Sequence, residues 1–183
     1  MPFESYKFEL KPLEYPYNAL EPYIDEETMH FHHDKHLQTY VDNLNKALEN
    51  YPEYQKWNLG ELVKNYQRLP KELQTPVKNN GGGVYNHNLF FELLSPDSKI
   101  DMSSTLAKQI EKDFGSFENF KQQFKNKALS VFGSGYAWLM KNIHGKLEII
   151  TTPNQDTPLP LNFCPILLLD VWEHAYYLKN QNR

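Results

Sequence analysis

Apolar residues recur at helical spacing between residues 26 and 50, and this stretch contains neither proline nor glycine. Asp25 immediately precedes it and is a candidate N-cap, because an aspartate at that position can accept a hydrogen bond from the first turn. Glu26 and Glu27 follow, where acidic side chains suit the positive end of the helix dipole. Together these features predict one long helix.

Proline and glycine divide the rest of the first half of the chain. We expect its two longest helices to pack as an antiparallel hairpin. The predicted elements are, in chain order, an extended arm with turns at 1–24, the long helix, a shorter helix at about 59–69, a turn at TPVKNNGGG and a helix at about 84–94.

Helical and strand patterns alternate in the second half, after a polar loop at 95–104. We therefore divide the chain into two domains, 1–96 and 97–183. The expected fold class is α+β: an N-terminal helical hairpin domain, followed by a mixed domain with a small three-stranded antiparallel sheet flanked by helices. The elements predicted in the second domain are two amphipathic helices separated by Gly115-Ser116, strands at 133–142 and 146–152, a buried strand at 166–171 and a helical ending.

Composition narrows the possible partners and locations. The 183 residues carry a net charge of −4, so no nucleic-acid partner is expected. The longest apolar run, Ile166–Leu169, is far too short to cross a membrane. Cys164 is the only cysteine, which excludes an internal disulfide and suits a reducing compartment. The N-terminus shows no apolar signal-peptide region, and we expect a cytoplasmic protein.

Four of the seven histidines fall in the segment HFHHDKH of the long helix. His32, His36 and Tyr40 follow one another at spacings of four residues, so they lie along one face of the helix. Apolar residues border that face, and we expect it to point inward. His30 and His33 are expected to be solvated on the outer side.

His87 lies among apolar neighbours on its own predicted helix. Val84, Phe90 and Phe91 fall within about 60° of it on a helical wheel. A buried polar group without a partner costs ~1–3 kcal/mol, so His87 needs either a metal ion or an acceptor such as a carbonyl oxygen. Its own helix does not decide between the two.

The stretch DVWEHAYYL places Asp170 at the end of the most apolar predicted strand and His174 four residues later. A buried carboxylate is costly unless it is paired or bound to a cation. The alternative is that Asp170 caps a helix and His174 packs beside it. A single DxxxH pair is compatible with both interpretations.

Taken together, these residues form the ligand inventory of a first-row transition metal, with imidazole and carboxylate donors from two helices and one strand end. One carboxylate leaves a divalent or trivalent ion net positive, so manganese or iron could hold one further small ligand and change oxidation state. Zinc could fill the same ligand set without redox chemistry. No cysteine motif for structural zinc is present.

The same stretches resemble the iron/manganese superoxide dismutase family in order and spacing, and the resemblance covers nearly all of the chain. The matching segments are LEYPYNALEPYI, FHHDKHLQTYVDNLN, NNGGGVYNHNLFFELL, FGSGYAWL, NQDTPL and DVWEHAYYL. The resemblance implies that superoxide is converted to dioxygen and hydrogen peroxide. It also implies one manganese ion per subunit, with iron as the alternative, and a homodimer or a tetramer.

Roles for individual residues also follow from the resemblance. It implies that Gln155 hydrogen-bonds the solvent bound to the metal, that Tyr40 stands at the mouth of the substrate channel, and that His36 is its gateway histidine. The implied metal ligands are His32, His87, Asp170 and His174. The other implied residues are Trp138 and Trp172 in the pocket wall, Arg183 at the channel rim, and Glu173 and Tyr177, which reach across a dimer interface to the partner subunit.

The origin of the solvent-binding glutamine bears on the choice of metal. The family supplies it either from the second helix, four residues before the histidine, or from the NQD loop. Here Gly83 occupies the helix position and Gln155 the loop position. The resemblance therefore implies the manganese type, and some relatives of this type accept either metal.

Three departures from the family pattern matter. Phe91 and Tyr136 stand where tryptophan is common, and both keep a large ring. The chain stops at Arg183, where family members continue into a further helix, so we expect the last helix to be lacking. Two alternatives stay open: a zinc hydrolase with the same ligands, for which no HExxH-type base is present, and an inactive or truncated metal-binding or dimerisation homologue.

Overall fold

The computed structural model describes residues 4–97 and 99–183. Positions 1–3 of the predicted arm and position 98 of the predicted boundary loop lie outside the described residues. From residue 4 to residue 24 the chain forms turns and extended segments, as predicted. The side-chain amide of Asn45 holds this arm to the first long helix, because it both donates to and accepts from the backbone of Phe8.

The first long helix, α1, begins at Glu26 and consists of α-helix at Glu26–Met29, π-helix at His30–Leu37 and α-helix at Gln38–Leu48. The predicted N-cap is confirmed, since the Asp25 carboxylate accepts a hydrogen bond from the Thr28 backbone at 2.7 Å. The π segment contains the whole HFHHDKH motif. π-Helical segments are rare in proteins, and those that occur are often found at functional sites.

Helix α2 at Leu59–Lys64, followed by a 3₁₀ turn at Tyr66–Arg68, confirms the predicted shorter helix. The predicted turn at TPVKNNGGG is wrong. A second long helix, α3, runs through this stretch as α-helix at Lys71–Pro76, π-helix at Val77–Gly81 and α-helix at Gly82–Leu93. Helices α1 and α3 pack against each other as the predicted hairpin.

The glycine run lies where α3 approaches its neighbours closely. An added Cβ at Gly81 would come within 3.2 Å of Val63, and one at Gly82 within 2.2 Å of the Gln155 carbonyl oxygen. Glycine in a helix interior costs about 1 kcal/mol relative to alanine. Contacts with other parts of the chain outweigh this local preference, which the sequence pattern alone does not reveal.

The second half is an antiparallel sheet with two helices packed against it, as predicted. Strand β1 lies in the centre, so the order of strands is β2-β1-β3. The predicted helical ending is reduced to a 3₁₀ turn and one short helix. The elements are α4 at Thr105–Phe114, α5 at Phe117–Leu129, β1 at Gly135–Lys141, β2 at Leu147–Pro153, β3 at Cys164–Asp170, a 3₁₀ turn at Glu173–Ala175 and α6 at Tyr177–Asn180.

The central strand β1 connects the two halves of the core. Tyr136 and Trp138 belong to the same buried cluster as the apolar residues of α1 and α3. Leu139 packs instead with Ile110 of α4 and Phe120 of α5. Because α3 also packs against β3, the end of that strand faces the helical hairpin. Among the described residues, no helix is both long enough and apolar enough to cross a membrane.

The Asp113 carboxylate ties α4 to strand β2. Its Oδ2 accepts a hydrogen bond from Gln109 Nε2 at 2.7 Å and another from the backbone N–H of Leu147 at 2.8 Å. These hydrogen bonds hold the pKa of the Asp113 carboxyl below its usual value. A lowered pKa in the folded state adds stability above the unfolded-state pKa of about 3.9, and this stability disappears as the pH falls through the folded-state pKa.

We expect Asp113→Ala to lower the urea midpoint of unfolding at about pH 6, and we expect this difference from the wild type to shrink below about pH 4. Urea unfolding, followed by circular dichroism at a series of pH values, measures both effects. Glu111→Ala removes an exposed acid from the same helix and should show neither effect. A difference that stays constant down to about pH 3 would contradict the linkage.

Candidate metal centre

Four ionisable side chains from separate parts of the chain converge where the hairpin meets the sheet. His32 comes from the π segment of α1, His87 from α3, Asp170 from the last residue of β3, and His174 from the 3₁₀ turn that follows. Each offers one donor atom, and the four atoms all lie within 4.8 Å of one another. The structure therefore brings together all four residues that the sequence nominates as ligands.

The Asp170 carboxylate is the centre of this ligand group. Its Oδ2 lies 3.1 Å from His32 Nε2, 3.2 Å from His174 Nε2 and 3.9 Å from His87 Nε2. Its Oδ1 accepts a hydrogen bond from the backbone N–H of Trp172 at 2.8 Å, which fixes the orientation of the carboxylate. The Asp170 side chain is fully inaccessible to solvent.

Three of the four ligands, His32, His87 and Asp170, are held in the protonation states that coordination requires. Burial lowers the pKa of His87 to about 3 and also lowers that of His32, so both imidazoles are neutral at neutral pH. Burial opposes ionisation of Asp170. The neighbouring His174 and His32 outweigh this effect and hold the pKa of the Asp170 carboxyl below its usual range.

His87 is oriented by its second ring nitrogen. Its Nδ1 lies 2.8 Å from the carbonyl oxygen of Gly83, one turn earlier on α3. Because a carbonyl can only accept a hydrogen bond, Nδ1 carries the proton and Nε2 presents its lone pair to the ligand group. Hydrogen bonds of this kind commonly fix the tautomer and the ring orientation of histidines that bind metals.

Two buried ring nitrogens have no hydrogen-bond partner among the described residues: His32 Nε2 and His87 Nε2. His32 Nε2 lies close to Asp170 Oδ2, but the contact does not have the geometry of a hydrogen bond. Two donors that each lie ~2.1 Å from one ion are separated by about 3.0–3.6 Å when they subtend about 90–120° at it. The shorter observed separations are of this size, and the donor types suit manganese, iron or zinc. The four residues therefore fit a first-row transition metal ion.

Gln155 and Tyr40 lie beside the ligand group and are joined to each other. Gln155 Nε2 donates a hydrogen bond to the Tyr40 hydroxyl at 3.1 Å, and the Tyr40 ring lies 5.2 Å from the ring of His87. Burial raises the pKa of Tyr40, so its hydroxyl stays protonated at neutral pH. A Cβ at Gly83 would come within 2.5 Å of the Tyr40 ring. This tyrosine therefore occupies the space that a longer side chain at position 83 would need.

An open groove connects the ligand group with the surface. His36 stacks on His174 with ring centroids 4.6 Å apart, and Trp172 stacks on His174 at 5.2 Å. The groove is lined by these three residues together with Tyr40 and Arg183. It therefore contains several of the residues to which the family resemblance assigned a channel or wall position.

Two further aromatic rings stand behind the ligands. Phe91 is buried, and its ring centroid lies 5.0 Å from that of His32. Trp138 is fully buried, packs against the Tyr136 ring at 5.8 Å and donates its Nε1 hydrogen to Thr152 Oγ1 at 2.9 Å. Phe91 thus contacts a ligand directly, whereas Trp138 supports Tyr136.

Glu173 and Tyr177 are exposed and do not belong to the ligand group. Glu173 directly precedes His174 in the 3₁₀ turn. Tyr177 is 48% exposed, and its neighbours Tyr176 and Leu178 are also exposed. This end of the described chain therefore presents aromatic and aliphatic side chains to solvent.

The expectation that His33 is solvated is wrong, whereas His30 is exposed as predicted. His33 is 2% exposed. Its Nε2 lies 2.7 Å from the Lys11 carbonyl oxygen and its Nδ1 lies 2.7 Å from the Asp34 carboxylate. The N-terminal arm covers this side of α1, which a helical wheel of α1 alone does not show.

In the sequence, Tyr136 was marked only as a departure from the family's tryptophan and Asn86 was not marked, although both donate hydrogen bonds to Gln155. Asn86, fully buried on α3, donates from Nδ2 to Gln155 Oε1 at 3.1 Å, and the Tyr136 hydroxyl donates to the same oxygen at 3.0 Å. Burial, and then the charge of Asp170, raises the pKa of Tyr136 well above its usual value. The position of Asn86 next to His87 was the only signal available, because its contact spans 69 residues.

Comparison with known proteins agrees with this geometry over both halves of the chain. Residues 7–95 match the alpha-hairpin domain of iron/manganese superoxide dismutases, and residues 102–183 match the C-terminal domain of the same proteins. The two matched segments contain all four members of the ligand group.

Individual relatives are similar along almost the whole chain. Superoxide dismutase [Mn] of Thermus thermophilus is 49% identical over 178 residues, which cover 97% of this chain and 87% of the relative. Superoxide dismutase [Mn/Fe] 2 of Staphylococcus aureus is 51% identical, covering 96% and 86%. Superoxide dismutase [Mn] 1 of Leptolyngbya boryana is 50% identical, covering 95% and 71%. The chain belongs to the iron/manganese superoxide dismutase family.

Proposed function

We propose that the ligand group holds one manganese ion, or iron in its place, and that the chain converts superoxide to dioxygen and hydrogen peroxide. One superoxide loses an electron and becomes dioxygen. A second superoxide gains that electron together with two protons and becomes hydrogen peroxide. The observation that carries the proposal is the convergence of three histidine nitrogens and the Asp170 carboxylate in a chain whose relatives are named for manganese or for both metals.

The bound ion supplies a one-electron redox couple, which manganese and iron offer and zinc does not. Among the four ligands only Asp170 is anionic, so the ligand set leaves a divalent or trivalent ion net positive. An anionic substrate is therefore attracted to the end of the groove. Burial of the ligands strengthens this attraction, because charges interact more strongly where water is excluded.

Gln155 and Tyr40 form the hydrogen-bonded pair that would deliver protons to the metal centre. Gln155 Nε2 uses one hydrogen on the Tyr40 hydroxyl, and an amide nitrogen carries a second that is free to face the site. Tyr40 lines the groove, so its hydroxyl can exchange protons with the solvent there. His36, stacked on His174 in the same groove, limits the width of the approach.

The geometry does not favour a zinc hydrolase. Such an enzyme needs a general base beside the open coordination position, and this base is commonly a carboxylate. The polar side chains joined beside the ligand group are an amide and a phenol, those of Gln155 and Tyr40. An inactive homologue with intact ligands stays as the alternative, and activity measurements separate it from the proposal.

Metal removal and reloading tests the function directly. The purified chain is analysed for bound metals, stripped with a chelator and reloaded separately with manganese, iron or zinc. We expect manganese-loaded or iron-loaded protein to accelerate the decay of superoxide, and the stripped and zinc-loaded forms to be inactive. If fully loaded manganese and iron forms leave superoxide decay at the rate of buffer alone, the inactive homologue is the correct interpretation.

Removal of a ligand should abolish metal retention. His87→Ala or Asp170→Ala deletes one of four donors, so we expect the metal content after dialysis to fall from a full complement to near zero. Elemental analysis gives the result. His30→Ala changes an exposed histidine of α1, the helix that carries His32, and should retain the wild-type content. Full metal occupancy in both ligand variants would show that the ligand set is wrong.

Gln155→Ala should separate turnover from metal binding. We expect metal content to stay at the wild-type level, because Gln155 is not a ligand, while the rate of superoxide removal falls on the order of 10²-fold, as is typical when a proton-handling group is lost. Pulse radiolysis and elemental analysis on the same sample measure both. Gln67→Ala, an exposed glutamine, serves as the control. Loss of metal from the Gln155 variant would argue for a role as a ligand.

We propose in addition that the chain forms a homodimer through the surface around Glu173 and Tyr177, and that a tetramer is the larger assembly. Support comes from the family resemblance and from the side chains of Tyr176, Tyr177 and Leu178, which are 38%, 48% and 47% exposed next to the metal centre. Adjacent exposed aromatic and aliphatic side chains are typical of protein interfaces.

Glu173→Ala tests this interface. We expect the dimer to dissociate at concentrations at least about tenfold higher than for the wild type, because a charged contact across the interface is lost. Sedimentation velocity over a dilution series measures the dissociation. Glu49 is an exposed glutamate directly after α1, and Glu49→Ala should leave the dissociation concentration at the wild-type value. A wild-type chain that sediments as a monomer throughout would refute the proposal.

A further inference from the structure

Two tyrosines of the N-terminal arm are hydrogen-bonded to the two long helices that carry metal ligands. The Tyr15 hydroxyl donates to the backbone carbonyl oxygen of Phe91 on α3 at 2.9 Å. The Tyr17 hydroxyl donates to Asp34 Oδ1 on α1 at 2.6 Å. The segment Tyr15–Tyr17 thus forms a strap across the helical hairpin, with one anchor point on each helix.

Both anchor points of the strap lie close to a ligand. Asp34 follows His32 by two residues within the π segment of α1. Phe91 follows His87 by one turn on α3, and its ring centroid lies 5.0 Å from that of His32. Each anchor point shares a turn of helix with a ligand. A shift of either anchor point therefore shifts that ligand as well.

The strap is short and stiff. Its middle residue is Pro16, whose ring fixes its own φ and restricts the residue before it to extended conformations. Burial raises the pKa of Tyr15 to about 12, and burial together with the Asp34 carboxylate raises the pKa of Tyr17 to about 12. Both hydroxyls therefore remain protonated donors at neutral pH.

The π segment of α1, His30–Leu37, is the part of the hairpin that the arm holds most firmly. Besides the bond from Tyr17, the Asp34 carboxylate lies 2.7 Å from His33 Nδ1. His33 Nε2 lies 2.7 Å from the Lys11 carbonyl oxygen. Long π-helical segments are rare. Here the arm holds one in place at two points, Lys11 and Tyr17.

We infer that Tyr15 and Tyr17 are positioning residues that keep the two ligand helices at the separation the metal ion needs before the ion binds. The inference rests on the proposed function, since that function assigns the ion to the ligand group. Pre-organisation of this kind strengthens binding, because the ion does not have to order the hairpin itself. The competing explanation is that the two hydroxyls only stabilise the fold. A hydrogen bond that is equally strong with and without the ion leaves metal affinity unchanged.

Tyr15→Phe, Tyr17→Phe and the double variant test the inference, because each single change deletes one hydroxyl and keeps the ring. The metal-free proteins are titrated with manganese(II) in competition with a chelator of known affinity, and their thermal midpoints are measured. We expect each single variant to raise the Kd for manganese about two- to tenfold, the factor that one hydrogen bond is worth. A strap released at one end no longer fixes the separation. We therefore expect the double variant to bind no more weakly than the weaker single variant.

Tyr51→Phe is the matched control. The Tyr51 hydroxyl donates to Glu72 Oε1 at 3.2 Å and so also joins the two sides of the hairpin. It does this where α1 has ended and α3 begins, whereas the ligands lie near the start of α1 and the end of α3. We expect Tyr51→Phe to bind manganese with the wild-type Kd.

Hydrogen exchange of the metal-free proteins gives a second measurement that needs neither metal nor activity. We expect the amides of His30–Leu37 to exchange faster in Tyr17→Phe than in the wild type, and at the wild-type rate in Tyr51→Phe. A wild-type protein that binds manganese without removing superoxide would refute the proposed function, and the affinities and exchange rates would still decide the role of the strap.

Three results would overturn the inference. The first is a wild-type Kd for manganese in both single variants, whatever their thermal midpoints. The second is a double variant whose Kd is raised by the product of the two single effects, because the two hydroxyls would then act independently. The third is an unchanged exchange rate of the π segment in metal-free Tyr17→Phe protein.

Discussion

Burial of the Asp170 carboxylate is the constraint on which the rest of the structure depends. Its side chain has no solvent contact, and it is held in the ionised form. An isolated charge in that position would cost several kcal/mol, so the fold must supply partners for it. The backbone N–H of Trp172 and the His174 ring lie within hydrogen-bond distance of the carboxylate, and His32 from one long helix and His87 from the other complete a site for a cation beside it. The hairpin and the sheet are thus joined through the group that also forms the metal centre.

Close backbone approach in α3 makes this arrangement possible. Gly82 lies against the Gln155 carbonyl, and Gly83 lies against the Tyr40 ring, so a side chain at either position would displace a residue of the site. One short segment of α3 therefore positions both the loop after β2 and the Tyr40 ring against the hairpin. The Gln155 amide that meets them there is held at both ends, because Oε1 accepts from Asn86 Nδ2 and Nε2 donates to the Tyr40 hydroxyl, and such contacts hold a buried network in a single geometry.

Local signals in the sequence were sufficient for most elements and for candidate metal-binding residues, whereas the family resemblance chose the four ligands among them. The cap at Asp25 and the absence of proline and glycine defined the start of α1, because both act within one turn. His87 was marked by its apolar helix face, and Asp170 by its place at the end of an apolar strand. Each was ambiguous alone. Their combination indicated a metal site because few other environments suit three histidines and a buried aspartate together.

Tertiary structure decided what depends on residues far apart in the chain. The glycine run before His87 is helical, although the local pattern favours a turn, and its glycines lie close to α1, α2 and the loop after β2. His33 is buried because the N-terminal arm covers it. The hydrogen bonds that orient Gln155 join it to Asn86, 69 residues away, and to Tyr136 on the neighbouring strand. The sequence by itself therefore determined which side chains could carry the chemistry. Only packing decided how these side chains are oriented. Hydrogen-bond geometry depends on contacts between distant residues, which the local hydrophobic pattern of the sequence does not encode.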